Sequence, residues 1–212
     1  MALIVVRVWV PDRPGALGAV ASRIGAVHAD VIGIDILERG AGRAVDELTV
    51  EISDHQHVDL LVQEISQVDG VDVEHVRPAR ASHNDRSVRS IAVASALLDA
   101  TSADELLAQL VDGLHDLFEA DWTAIVDPAA ARTVAVSGGM EMPSAEWLSA
   151  FVIGSGVSDG SFAAVDELTR AALGARGLEV IVSRESLPLR AGERQILADL
   201  AALAAKHLRA FD

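Results

Sequence analysis

The residues best placed to do binding chemistry are Pro11-Asp12-Arg13-Pro14-Gly15. They form a turn between the apolar run Leu3–Val10 and a segment in which Leu17, Val20, Ala21, Ile24 and Val27 fall at helical spacing. Two prolines fix the backbone of such a turn and Gly15 frees it, so a strand stops and a helix starts within a few residues. The first N–H groups of that helix have no partner within it and point beyond the loop, toward an anion or a carboxylate. Asp12 and the nearby Asp30 repel a bare anion. A zwitterion fits better, its ammonium toward Asp12 or Asp30 and its carboxylate toward the helix N-terminus. The alternative is that Asp12 and Arg13 only cap and flank the helix while Pro14 and Gly15 serve the turn.

Other clusters offer less. His55 and His57, with Asp54 and Asp59 nearby, lack a third histidine close in sequence and are expected to be solvated rather than metal-binding. Ser155 and Ser158 sit in the glycine-rich stretch Gly154–Gly160, which lacks both the strand-to-helix elbow of a nucleophile and the dinucleotide fingerprint. His115 shares a helix with Asp112 and Asp116 and is expected to face solvent, and His28 sits where it would pair with the end of the first helix. The chain has no cysteine, which removes disulfides, thiol nucleophiles and cysteine zinc sites and is compatible with a cytoplasmic protein. No set of residues supplies a nucleophile, a base and an orienting group, so no catalytic residue, metal or cofactor is expected and the chain is not read as an enzyme.

The elements that position the turn follow from periodicity. After the first strand and helix, Val31–Glu38 alternates Ile32, Ile34 and Ile36 with Gly33 and Asp35, predicting a strand with one buried face. Gly40-Ala41-Gly42 marks a hairpin, and Arg43–Ile52 alternates again. Val58, Leu61, Val62 and Ile65 mark a second helix, and Val71–Val76 a last short strand. The order β-α-β-β-α-β implies a ferredoxin-like antiparallel sheet of four strands with two helices on one face.

The length of 212 residues suits two domains. Residues 1–77 hold 13 acids and 6 bases, and residues 91–212 hold 18 and 8. Two acidic bodies repel phosphate, so no nucleic-acid partner is expected. No apolar run is long enough to span a membrane, and the N-terminal apolar run reads as a strand, not a signal peptide. The segment 78–90 is polar and basic and reads as a linker.

Residues 3–77 resemble the ACT domain, a small-ligand-sensing regulatory module. The resemblance rests on Asp12-Arg-Pro-Gly-Ala-Leu17 between strand and helix and on Gly42-Arg-Ala-Val-Asp-Glu-Leu-Thr-Val50, which is similar to the ACT repeats of uridylyltransferase-type nitrogen sensors. It implies a ligand, often an amino acid, bound at the seam between two copies. The residues it places at the ligand are Val10, Asp12, Pro14, Gly15, Ala16, Leu17, Asp30 and Val31. Dehydrogenase-type members tend to carry amide or imidazole side chains where this chain has Val10, Asp12 and Asp30.

In the second half, Ser102-Ala-Asp-Glu105 is a capping box for a helix with apolar Leu106, Leu107, Leu110, Val111, Leu114, Leu117 and Phe118. Strands at Trp122–Val126 and Arg132–Ser137, a helix capped by Ser144, a hairpin over Leu168–Ser183 whose first arm, Leu168–Leu173, is also compatible with a helix, and a closing helix Glu193–Leu208 follow. This order is similar to a GAF domain over residues 91–210, an α/β sandwich with an antiparallel sheet, without a chromophore cysteine or a nucleotide-binding motif. The fold class is therefore α+β: an ACT-like domain (1–77), a linker (78–90) and a GAF-like domain (91–212). The function expected is non-catalytic regulation by a small metabolite, in the first place an amino acid, in a homodimer that acts on a protein partner. The alternatives are a ligand-free protein-interaction module and an enzyme using a cleft in the second domain.

Overall fold

The computed structural model describes residues 2–53, 57–79, 86–139, 142–155, 167–185 and 187–211. The chain divides into two compact units, Met1–Asp85 and Arg86–Asp212.

The first unit runs β1 (Ala2–Pro11), α1 (Ala16–Ala26), β2 (Asp30–Gly40), β3 (Arg43–Ile52), α2 (Val58–Ser66) and β4 (Asp72–Pro78). Its sheet has the order β2-β3-β1-β4 with every neighbour antiparallel. This is the ferredoxin-like arrangement expected from the element order. Alternation along β1 turns Ile4, Val6, Val8 and Val10 to one face. There they meet Val20 and Ile24 of α1, Leu61 and Ile65 of α2, and Leu48, Val50 and Ile52 of β3. The opposite phase of β1 holds Arg7, only 1 % exposed, which donates to the Glu47 carboxylate at 2.7 Å.

One expectation fails in this unit. Ile32, Ile34 and Ile36 do not make a buried face but are 53 %, 48 % and 55 % exposed. They lie on β2, an edge strand of the sheet. Period-two apolarity shows that a face avoids water; it does not show that the covering element belongs to the same chain.

The second unit runs α3 (Arg86–Asp99), α4 (Ala103–Phe118), β5 (Trp122–Asp127), β6 (Arg132–Gly138), α5 (Ala145–Ser155), β7 (Leu168–Ala172), β8 (Glu179–Ser183) and α6 (Ala191–Leu208). Its sheet is antiparallel in the order β6-β5-β8-β7. Ile125, Val180 and Val182 point to the side of α4 and α6, whereas Trp122, Ala124, Val126 and Ile181 point to Leu148 and Val152 of α5. Two layers of helix thus enclose one sheet, an α/β sandwich as expected.

The segment 78–90 contributes Pro78 to β4 and Arg86–Ser90 to α3. Arg86 is tied into the second unit, with its guanidinium 3.2 Å from Glu193, which is fully buried. Ser102 caps α4 by accepting from the Glu105 N–H at 3.2 Å. The reciprocal arm of the box is displaced by one residue: the Glu105 carboxylate accepts from the N–H and hydroxyl of Thr101, both at 2.8 Å. Those two donors hold its carboxyl below the ordinary value. Ser144 caps α5 as expected, accepting from the Trp147 N–H at 3.3 Å.

Candidate ligand site at the head of the first helix

Gly15 starts α1 in the left-handed region at φ +87°, which glycine adopts without steric cost, and no side chain caps the helix. The Ala16 N–H reaches the Arg13 carbonyl at 3.3 Å and the Ala19 N–H the Gly15 carbonyl at 3.0 Å. Asp12 does not cap. Its N–H donates to the Gly42 carbonyl at 2.9 Å, and its carboxylate accepts from Arg39 Nη2 at 2.6 Å. Arg39 comes from the last turnward residues of β2, so the hairpin folds a cation back onto the head of α1.

Three further charges surround the turn. Arg43 pairs with Asp72, donates to the Gly70 carbonyl at 3.1 Å and lies 5.3 Å from the centre of the Trp9 ring. Arg13 approaches Asp69 at 3.8 Å with both side chains largely in solvent. Asp46 differs from these because it is buried. It stands opposite Val8 of β1 and Ile36 of β2, is 4 % exposed, and leaves Oδ1 without a hydrogen-bond partner. Burial pushes its carboxyl above the ordinary value of 3.8, the Arg39 guanidinium pulls it down, and the Asp12 carboxylate pushes it up. Asp12, Arg39 and Asp46 therefore form one electrostatic group beside the uncapped N-terminus of α1.

The expected site residues fall into two places. Asp12, Pro14 and Gly15 are exposed at the turn, Ala16 is buried beneath it, and Leu17 packs against the core. Val10 gives its side chain to that core, so only its backbone borders the turn. Asp30 and Val31 open β2 at the opposite end of the sheet: Asp30 stands opposite Glu51, which stands opposite Leu3. From Leu3 to Asp12 the strand rises roughly 30 Å, so one chain cannot bring both groups to one ligand.

Sequence reasoning missed Arg39 and Asp46. Asp46 carried a signal, because it shares the phase of Leu48, Val50 and Ile52 and puts a carboxylate in a core register. Arg39 carried none beyond its closeness to the hairpin glycines.

The other candidates stay apart from the turn. Asp54 and His55 lie outside the described residues, while His57 precedes α2 and Asp59 sits in its first turn. Among the described residues no three His, Cys, Asp or Glu gather to hold a metal. Ser155 ends α5 and donates to the Val152 carbonyl at 3.2 Å; Ser158 lies outside the described residues. His115 is not fully solvent-facing: it is 22 % exposed, with Nδ1 3.6 Å from Asp116. No described helix is long and apolar enough to cross a membrane.

Residues 4–70 match the family model of the ACT domain, a span that includes the turn, the hairpin, Asp46 and both helices of the first unit. The first unit carries an ACT domain. ACT domains bind small ligands in regulatory roles, and the turn described above is part of this one. No curated protein matches the chain. Among solved structures, the chain is similar to the GAF domain from Acinetobacter phosphoenolpyruvate-protein phosphotransferase, with 12 % identity and a TM-score of 0.41, covering 59 % of this chain and 93 % of that one. It is also similar to an unknown protein from Galdieria sulphuraria, with 13 % identity and a TM-score of 0.35, covering 99 % of this chain and 93 % of that one.

Proposed function

We propose that this chain is a cytoplasmic, non-catalytic regulator that senses an amino acid through its ACT domain, as a homodimer joined along β2. The observation that carries the proposal is the buried Asp46 carboxylate with an unpartnered oxygen, grouped with Asp12 and Arg39 at an uncapped helix N-terminus. An α-amino acid matches that set. Its ammonium neutralises the Asp12–Asp46 pair, and its carboxylate takes Arg39 and the first N–H groups of α1.

The dimer follows from β2. An exposed edge strand with three isoleucines in water is a surface that a second sheet covers. Antiparallel pairing of β2 with its copy sets Asp30 and Val31 of one protomer beside the Asp12–Arg39 end of the other. The separation of these groups within one chain is then a consequence of the seam. Ligand bound there favours one pairing of the two copies, and so biases the surface offered to a regulated partner.

The test is a thermal-shift series with the common amino acids on the wild type and on Asp46→Asn. At least one amino acid is expected to raise the melting temperature with concentration, by the equivalent of about 2.7 kcal/mol at a hundredfold excess over Kd. Asp46→Asn is expected to remain folded and lose that response. No concentration-dependent rise with any amino acid would falsify the proposal.

A further inference from the structure

The charged groups at the head of α1 border an apolar floor that they do not account for. Asp46 stands directly opposite Ile36 of β2, and two residues further along β3, Leu48 stands opposite Ile34. Side chains two apart on a strand share a face, so Ile34 and Ile36 lie on the same side of the sheet as the Asp46 carboxylate. Leu48 and Val50 of that face are buried in the core, whereas Ile34 and Ile36 are 48 % and 55 % exposed. The unpartnered Oδ1 of Asp46 thus belongs to a carboxylate set beside open apolar surface.

The polar groups gather at one end of this floor. Arg39 stands opposite Ala44, in the phase of Asp46, and its guanidinium holds Asp12. Asp35 and Glu38 of β2 stand opposite Glu47 and Val45, in the other phase of β3, so their side chains leave on the other face. From Asp46 away from the turn, the described residues of β2 and β3 on the helix side include Leu48, Ile34, Val50 and Val31, whose side chains hold no polar atom. Helix α1 leaves space beside them. Its Arg23 pairs with Glu64 of α2 at 3.0 Å, and Gly18, Ala21 and Gly25 fall on the side of α1 turned away from that pair. A Cβ added at Gly18 or Gly25 would meet nothing within 4 Å.

Charge and burial together select the side chain of the effector. Asp12 and Asp46 outnumber Arg39, so an acidic side chain adds a further carboxylate to a site that already has an excess. A hydroxyl, amide or ammonium carried past Asp46 leaves water and finds no partner on the floor. An apolar side chain gains from the same burial. We infer that the effector is an apolar α-amino acid with a side chain larger than methyl, which lies on Ile34 and Ile36 while its ammonium meets Asp46. The inference rests on the amino-acid reading proposed above and adds the side chain to it.

Calorimetric titration of the full chain with leucine, valine, phenylalanine, alanine, serine, glutamate and lysine reads that side chain directly. At least one of the first three is expected to bind about tenfold or more tighter than alanine, and serine, glutamate and lysine no tighter than alanine. Ile36→Thr keeps the β-branched shape that suits a strand and puts a hydroxyl on the floor. It is expected to weaken the tightest apolar titrant by about fivefold or more and to narrow its advantage over alanine. Ile36 is about half in solvent, so the variant is expected to keep the wild-type melting curve. Serine, glutamate or lysine binding as tightly as the best apolar titrant overturns the inference and leaves the amino-acid reading standing. An Ile36→Thr variant with the wild-type ranking and affinities does the same. Binding of no amino acid, by heat or by thermal shift, overturns both. Should Ile36→Thr fail to fold, the ranking of titrants on the wild type decides alone.

Discussion

Asp46 is the residue whose placement most needs a reason. A carboxylate in the register of Leu48, Val50 and Ile52, opposite Val8, has lost water and gained no hydrogen-bond donor on Oδ1. Burial raises its folded-state pKa above the ordinary 3.8. Below that ordinary value the group is protonated in both the folded and the unfolded chain, and its burial imposes no ionisation penalty. As pH rises through the folded value the native state must ionise a buried carboxyl, so this stabilising contribution is lost between the two values and stays lost above them. Asp46→Asn has no such dependence. The melting temperature of Asp46→Asn relative to wild type is expected to climb as pH is raised from about 3.5 to about 7 without ligand. A difference that stays flat over that range would show that Asp46 is not held at a raised pKa. The same group was legible in the sequence as a polar residue in an apolar phase. Arg39 was not, because only the fold of the β2–β3 hairpin brings it 2.6 Å from Asp12, which lies 27 residues earlier.

At the scale of elements, periodicity carried most of the information. Every strand and helix of the first unit was visible from the spacing of Val, Ile and Leu, and the turn chemistry of Pro11–Gly15 and Gly40–Gly42 placed the breaks. Less legible was what each element packs against. The β2 isoleucines and Val88, Ile91 and Leu98 of α3 show apolar periodicity like that of core elements, yet all stand in water in a single chain. The Glu105 cap likewise skipped Ser102 for Thr101, a choice made by the local path of the chain and not by residue type. Helix approach was also invisible, because a glycine within a helical run such as Gly113 looks like a weakness. In the structure it is a contact, which a substitution can measure. Gly113→Ala gains about 1 kcal/mol of helix propensity but forces a methyl within 2.8 and 3.1 Å of the two Val93 methyls. Valine has little rotamer freedom in a helix, and overpacking of this kind costs about 1–3 kcal/mol, so a net loss of about 1 kcal/mol is expected. Val93→Ala removes the clash. In chemical denaturation the double variant is expected to be more stable than the sum of the two single changes implies. Simple additivity would mean that α3 and α4 do not meet through this pair.

At the scale of the whole molecule, each unit has its own sheet and its own core, and the second has an internal ionic anchor. Arg184 donates to both carboxylate oxygens of Glu193 at 2.9 Å and to the Phe118 carbonyl at 2.9 Å, while the Arg190 N–H donates to Glu193 at 2.9 Å. Glu193 has no exposed surface, and Arg184 and Arg86 are 6 % and 9 % exposed. The anchor ties the strand-end residue Arg184 and the first residue of α3 to the first turn of α6. Two buried guanidinium groups share this carboxylate, so removing its charge takes that anion from both in a dry site. Breaking a buried pair in this way costs about 3–5 kcal/mol, far more than an exposed pair. In a unit of this size that corresponds to a fall in melting temperature on the order of 10 °C. Glu193→Gln keeps the shape and isolates the charge. With separate cores, calorimetry is expected to resolve two transitions, and the one whose position depends on pH through Asp46 belongs to the ACT domain. Glu193→Gln is expected to lower the other transition and leave that one in place. If both fall together, the two units unfold as one cooperative body despite their separate cores. Ligand binding at the ACT domain would then stabilise the second unit directly, with no partner protein needed to carry the signal.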